Sequence, residues 1–210
     1  MPRPAGVRNH DFAEKRRALL EILTEFALND DLRRPSLRQF AIAAGASEPT
    51  LRHYFGDRRG MVISILEHIH ARGITLWDVI ATGAKDPATS VAEYLRVTEA
   101  GMTHGGFIRA HAFGLIEGMA DEEIGRAYLE NLLDPALNAV VRKLEATPGA
   151  PNPGEGGRAA AFLMLAPILV MTLHQQLLGG KESSPMDVQT FMGSMERWLS
   201  HGLGSSETDT

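Results

Sequence analysis

One segment constrains the fold of this chain more than any other, because it carries start and stop signals for two short helices. The segment is SLRQFAIAAGASEPTLRHY, residues 36–54. Ser36 is a favoured N-cap for a first helix, and Gly45 stands where that helix must end in a left-handed conformation, which glycine adopts without steric cost. Ser47 can cap again, and Pro49 falls in the first turn of the next helix, where its missing N–H is no loss. The pattern predicts two short helices joined by a tight turn.

The second of these helices has an unusual surface. Leu51 is the apolar side chain that holds it down, whereas Thr50, Arg52, His53 and Tyr54 are presented outward. Side chains of these types hydrogen-bond phosphates and base edges. Two helices joined by a glycine-containing turn, the second short and polar, are typical of a helix-turn-helix.

In these residues the chain resembles the DNA-binding domain of the TetR family of transcriptional repressors. The resemblance covers roughly residues 10–70, and beyond them it is one of architecture only. Three positions depart from the usual pattern of the family: Arg52 stands where Tyr is most common, Arg58 where Lys is usual, and Gly60 where an acidic residue is common. The resemblance rests on Ser36, Ala41, Ala43, Ala44, Gly45, Ser47, Thr50, Leu51, Tyr54, Phe55 and Met61, and Glu48-Pro49-Thr50-Leu51 is similar to the family's recognition helix.

The resemblance implies a DNA interface on the second helix of the motif. Arg52 is the best candidate for a base contact, because a guanidinium fork can pair with guanine O6 and N7; a phosphate contact or a solvated side chain are the alternatives. Thr50 can touch a thymine methyl or a phosphate. By the resemblance, His53 and Tyr54 position phosphates, although Tyr54 can equally be a packed aromatic, and Arg58 takes the place of a phosphate-contacting Lys. The expected DNA-binding residues are Ser36, Arg38, Ser47, Glu48, Pro49, Thr50, Arg52, His53, Tyr54 and Arg58.

The charge is distributed unevenly along the chain. The formal net charge of −5 argues weakly against a nucleic-acid-binding protein until the chain is divided. Residues 1–60 contain 11 Lys and Arg against 8 Asp and Glu, a balance of about +3, and the remaining residues contain 10 against 18, a balance of about −8. A basic end on an acidic body fits a protein with one DNA-facing end.

The rest of the chain is predicted to be helical. A connecting helix at about 57–80 is followed by helices near 88–100, 106–119, 121–146, 157–178 and 185–202. The helix at 157–178 is apolar on nearly every face and must be buried on all sides. A subunit interface achieves this burial, so we expect a homodimer in which helices 121–146 and 157–178 form a four-helix bundle with their mates, as the resemblance also implies. The two recognition helices would then lie ~34–36 Å apart on a palindrome.

A small-molecule pocket in the C-terminal part is implied by the family resemblance rather than by a motif. Apolar residues at helical spacing are more often plain core, and the histidines can equally be partly exposed. His104 is a further polar candidate. The candidate ligand-binding residues are Trp77, Met102, Phe107, His111, Phe113, Met119 and His174.

The composition of the chain limits the other kinds of protein and of site that it can form. The chain has 210 residues, 44% of them hydrophobic, and no cysteine, so it can bury one or two cores and has neither disulfides nor thiolate metal sites. The apolar run 159–173 falls short of the ~20 residues that span a bilayer, and the N-terminus lacks a signal pattern, which favours a cytoplasmic protein without a membrane partner. The expected organisation is a flexible arm (1–10), a helix-turn-helix domain (11–56), a helical ligand-binding and dimerisation domain (57–204) and a flexible tail (205–210).

The sequence therefore predicts an all-α, DNA-binding transcriptional regulator. We expect a repressor released from a palindromic operator by an unidentified small, mainly apolar inducer. No P-loop, dinucleotide fingerprint or nucleophile elbow is present, so we expect neither an enzyme nor a cofactor. Glu67, His68 and His70 lack the H-E-x-x-H spacing, so we expect no metal. A helical protein–protein adaptor and a DNA-binding protein without an inducer are the alternatives.

Overall fold

The structure, a computed structural model, describes residues 5–29, 34–103, 106–150 and 154–204. Every regular element in these ranges is a helix. The all-α prediction is therefore confirmed. Residues 1–4 of the predicted arm, the predicted tail 205–210 and His104 lie outside the described residues.

The chain forms two compact units. The first unit comprises residues 1–72 and 109–132, and the second comprises residues 73–108 and 133–210. The division falls within one long helix, at Arg72–Gly73, whereas the predicted functional boundary between residues 56 and 57 stays a prediction. The first unit contains α1 (Ala5–Asn29), α2 (Leu37–Ala43), α3 (Glu48–Phe55), the first part of α4 (Arg58–Ile80), most of α6 (Gly106–Gly118) and α7 (Glu122–Tyr128). The second unit contains the end of α4, α5 (Pro87–Thr103), the start of α6, α8 (Asp134–Glu145), α9 (Glu155–Gln176), α10 (Gly180–Ser183) and α11 (Val188–Gly204).

Helix α1 holds the helix-turn-helix from one side. It begins at Ala5, within the segment that the sequence predicts to be a flexible arm. Leu23 is fully buried, and the ring of Phe26 meets the ring of Phe40 on α2 edge-on at 5.4 Å between centroids. Because α2 and α3 span only seven and eight residues, they are too short to be stable alone and depend on this packing.

Helices α6 and α7 approach each other closely through glycines. A Cβ built on Gly118 would lie 2.9 Å from the Cα of Gly125, and one built on Gly114 would overlap the ring of Tyr128. The two helices are therefore packed at a separation that larger residues would prevent. After Tyr128 the backbone continues through a π-helical turn, Leu129–Leu133, into α8.

The second unit has its own core, in which α8 packs along α9 and α5 packs along α11. Its fully buried members include both large and small apolar side chains. Among them are Val91, Tyr94, Leu137, Ala139, Val140, Ala161 and Met164.

Helix α9 is more exposed than its composition suggests. By its length and composition alone, the stretch Gly156–Gln176 is long and apolar enough to cross a membrane. It is longer than the apolar run 159–173, from which the sequence predicts that no segment spans a bilayer. Less than half of it is buried in this chain. Phe162 is exposed, and Leu163 and Val170 are each 63% exposed. The helix therefore leaves an apolar face without cover from the described part of its own chain.

Candidate nucleic-acid interface

The turn between α2 and α3 has the caps that the sequence predicts. The Ser36 hydroxyl accepts from the Gln39 amide at 3.2 Å, while the Gln39 side chain accepts from the Ser36 amide at 2.8 Å, which completes a capping box. Ser47 accepts from the Thr50 amide at 3.2 Å. Gly45 has a φ of +58°, the left-handed conformation expected at the end of α2. The helix-turn-helix geometry follows from these local signals.

Helix α3 turns two apolar residues inward and its polar residues outward. Leu51 and Phe55 are buried, so the helix is anchored along one side. The Arg52 side chain is 56% exposed, His53 is exposed, and Thr50 and Tyr54 are partly exposed. The outer side of α3 therefore offers a guanidinium, an imidazole, a hydroxyl and a phenol to a partner.

The polar residues of α3 are held loosely by their neighbours along the helix. Arg52 lies 3.9 Å from the carboxylate of Glu48 one turn earlier, an exposed pair of little strength. The hydroxyls of Ser47 and Thr50 hydrogen-bond each other at 2.8 Å. Because such contacts cost little to exchange, Arg52 and Thr50 are free to turn toward a ligand.

The aromatic residues at the end of α3 are packed against α1. The Tyr54 ring lies 4.7 Å from the ring of Phe12, and the His53 ring meets Phe12 edge-on at 5.5 Å between centroids. Arg16 of α1 places its guanidinium 5.1 Å from the centroid of the Phe55 ring. The Tyr54 ring is thus packed while the residue keeps part of its surface exposed, and its contact with a phosphate stays a prediction.

Arg58 at the start of α4 is engaged inside the chain. Its guanidinium donates to both carboxylate oxygens of Glu117 at 2.9 and 2.5 Å, and its Nε donates to the carbonyl of Pro35 at 2.8 Å. Arg34 lies 3.3 Å from the same carboxylate. Glu117 is 1% exposed and Arg58 25% exposed. Glu117 lies on α6, 59 residues after Arg58 in the chain. No local pattern in the sequence predicts that these two residues pair.

An open cleft of about 360 Å³ lies beside this pair, within the first unit. Arg59 on its wall donates to Asp121 at 2.8 Å and to Glu123 at 2.9 Å. The hydrogen bond to Asp121 raises the pKa of Arg59, so this guanidinium stays charged. The cleft combines four arginines with two aspartates, and it is lined by Arg34, Leu37, Arg52, Asp57, Arg58, Arg59, Asp121 and Ile124.

The remaining predicted DNA contacts lie on the surface around α2 and α3. Ser36 and Arg38 are exposed at the start of α2. Glu48 and Pro49 form the first turn of α3, where Pro49 occupies the expected position. All ten predicted DNA-binding residues belong to the first unit.

The predicted ligand-binding residues are divided between the two units. Trp77 and Phe107 belong to the second unit, where their rings meet at 5.5 Å. His111 and Phe113 belong to the first unit and are buried. Met102 lies on α5, and its side chain is outside the described set.

Three of these candidates have environments that the sequence does not reveal. The His111 Nδ1 lies 2.9 Å from the Tyr128 hydroxyl, and burial lowers the pKa of His111 to about 4. Met119 is 81% exposed after the end of α6, so it does not line an enclosed cavity. His174 is partly exposed and lies 2.7 Å from the Gln175 side-chain nitrogen. Within the described ranges, no group of three or more His, Asp or Glu side chains is arranged to hold a metal ion.

Comparisons with known proteins identify the fold. No protein-family model matches the chain, and no curated protein matches it in sequence. Three solved structures are similar over nearly their whole length. A protein described as a TetR-family transcriptional regulator from Mesorhizobium loti is 16% identical, with a TM-score of 0.61 over 91% of this chain and 94% of that one. The fatty acid degradation regulator FadR from Bacillus halodurans is 13% identical, with a TM-score of 0.60 over 93% and 97%.

The third similar structure is a TetR-family transcription regulator from Marinobacter aquaeolei VT8, 19% identical, with a TM-score of 0.57 over 93% of this chain and 98% of the other. At such identities, structural similarity establishes the fold. The chain has the fold of the TetR-family transcriptional regulators, and the resemblance seen in the sequence is confirmed at that level.

Proposed function

We propose that this chain is a sequence-specific DNA-binding transcriptional regulator, acting as a homodimeric repressor that a small, mainly apolar ligand releases from a palindromic operator. One observation carries the proposal: α3 is anchored by Leu51 and Phe55 and presents Thr50, Arg52 and His53 outward. A short second helix with this surface is how a helix-turn-helix enters the major groove. The regulators with the same fold support the assignment.

In this proposal the residues divide by the part of DNA that they contact. Arg52 reads a base, because its fork matches guanine O6 and N7 and only a weak pair with Glu48 holds it. Ser36, Arg38 and His53 contact phosphates, which fix the register of the protein on the duplex. Arg58 reaches a phosphate only by giving up its bonds to Glu117.

The apolar face of α9 supports the proposed dimer. Leu163 and Val170 are exposed apolar residues on this face. Large exposed apolar patches in folded proteins usually indicate an interaction surface. Pairing of α8 and α9 with their mates would cover this face, as expected from the sequence. A two-fold dimer then presents two α3 helices to a palindrome. As a DNA-binding regulator the protein would act in the cytoplasm.

The test is binding of the purified chain to duplex fragments from upstream of its own and neighbouring genes, followed by fluorescence anisotropy at several salt concentrations. We expect tight binding to one palindrome-containing fragment, with affinity falling steeply as salt rises. Arg52→Ala should weaken this binding by about 1–3 kcal/mol and relax the preference at one base pair. Arg197→Ala, an exposed arginine of α11, is the matched control and should bind as the parent does.

If none of these fragments is bound tightly, the operator can lie elsewhere in the genome, and a binding site is then selected from a pool of random-sequence duplexes. If Arg52→Ala binds the selected site as well as Arg197→Ala does, the base contact proposed for Arg52 is wrong. If the selected pool shows no common sequence, the assignment as a sequence-specific DNA-binding regulator is wrong. An adaptor that binds only protein would give that result.

A further inference from the structure

A second cavity, of about 240 Å³, lies wholly in the second unit, where the end of α4 meets α5 and the last turn of α8. It is partly open to solvent and smaller than the ~300–1,000 Å³ typical of sites for drug-sized ligands. Its lining combines a buried cation with an apolar wall. The lining residues are Val79, Ile80, Thr82, Glu93, Tyr94, Arg96, Val97 and Lys143.

Lys143 is the unusual member of this set. Its side chain is 3% exposed, and its ammonium donates to the Thr82 carbonyl at 2.8 Å and to the Glu93 carboxylate at 3.1 Å. A buried ammonium is costly unless it is paired. The two bonds account for two of its three hydrogens, so the ammonium keeps donor capacity for one further partner at the wall of the cavity.

The carboxylate that neutralises Lys143 is placed to be exchanged. The Glu93 side chain is 43% exposed, so it can turn into water without a burial cost. Arg96, one turn further along α5, is exposed at the edge of the same cavity. Glu93 thus shows where a carboxylate binds, and Arg96 adds a second cation that an entering carboxylate would meet.

The rest of the lining suits a hydrocarbon group. Val79 and Ile80 of α4 and Val97 of α5 are apolar, and Val79 is left exposed. Tyr94 contributes a buried ring, and its hydroxyl has no hydrogen-bond partner among the described residues. Burial raises the pKa of Tyr94, so this hydroxyl stays a neutral donor.

We propose that this cavity binds a small amphipathic carboxylic acid, whose carboxylate replaces Glu93 on Lys143 and contacts Arg96 while its apolar part packs on Val79, Ile80 and Val97. The ligand class is thereby that of a short-chain or single-ring acid. The site is a property of the second unit alone. Only its role as the site of the effector rests on the proposed regulatory function.

The test is calorimetric titration of the whole protein, without DNA, with benzoate and hexanoate. Benzyl alcohol and hexanol are the matched neutral probes. We expect one acid per chain and no comparable binding of the alcohols. Glu93→Gln removes the internal competitor and should tighten acid binding several-fold. Lys143→Met keeps the stem and removes the charge, so acid binding should weaken by at least about tenfold, equivalent to about 1.4 kcal/mol.

The control variant is Lys181→Met, an exposed lysine of α10 in the same unit, which should bind the acids as the parent does. If Lys143→Met does not fold by circular dichroism, Glu93→Gln and Arg96→Gln carry the test, with opposite expected shifts. Equal binding of acids and alcohols, or no binding of either acid to the parent and to Glu93→Gln, overturns the proposal. Because no DNA is present, acid binding without operator binding would leave the site standing and reject only the regulatory function.

Discussion

Replacing Glu117 by Gln tests the buried ion pair that ties α6 to the start of α4. The change keeps the shape of the side chain and removes its charge, which leaves Arg58 and Arg34 beside a neutral amide. Removing one partner of a buried pair costs about 3–5 kcal/mol, because the other charge stays buried and uncompensated. Arg58 is 25% exposed and can in part turn to water, so we expect a smaller loss than for a fully buried pair, about 2–4 kcal/mol.

The measurement is urea unfolding followed by circular dichroism, with thermal unfolding alongside. A loss of this size should lower Tm by roughly 5–15 °C, since each 1 kcal/mol corresponds to about 2–4 °C in a chain of this length. Glu123→Gln is the matched control, because Glu123 pairs with the neighbouring Arg59 at the surface. That variant should unfold almost as the parent does. Equal stability of the two variants would refute the reasoning that burial makes the Glu117 pair indispensable.

Three further outcomes follow from single side chains. Native His111 stays neutral down to about pH 4, whereas His111 in the unfolded chain is protonated below about pH 6.5. The free energy of unfolding should therefore fall by about 1.4 kcal/mol for each pH unit between these values as the pH is lowered. His111→Gln should reduce this pH dependence in urea titrations, and an unchanged dependence would contradict the effect of burial. Gly114→Ala should destabilise by overlap with the Tyr128 ring, whereas Gly101→Ala, which meets nothing within 4 Å, should be neutral or stabilising. Gly45→Ala should cost about 1 kcal/mol in the same assay, since its φ of +58° strains an L-residue; a neutral result would mean that the turn relaxes.

The helix-turn-helix was predictable because its signals are local. Capping at Ser36 and Ser47, the left-handed Gly45 and the early Pro49 each act within a few residues, so the sequence determines them directly. The outward placement of Arg52 follows from the same helical spacing. These features depend on nearest neighbours along the chain rather than on the tertiary fold.

What the sequence did not reveal depends on distant contacts. The pairing of Arg58 with Glu117 joins residues far apart in the chain, so the local pattern that predicts a phosphate contact for Arg58 gives no sign of it. Methionine is usually a core residue, yet Met119 follows the last turn of α6 and is exposed. The cavity at Lys143 was missed because a lone lysine on a helix is normally solvated, and only the position of Glu93 and Thr82 shows that it is buried.

The shortness of α2 and α3 has a consequence for engineering. Helices of seven and eight residues do not persist as isolated peptides in water. A synthetic peptide of residues 36–56 would therefore be largely unstructured. Grafting it into an unrelated scaffold would transfer the sequence without the helix-turn-helix conformation. New sequence preferences are better obtained by exchanging Thr50, Arg52 and His53 in place, because α1 then continues to supply the surface on which they are displayed.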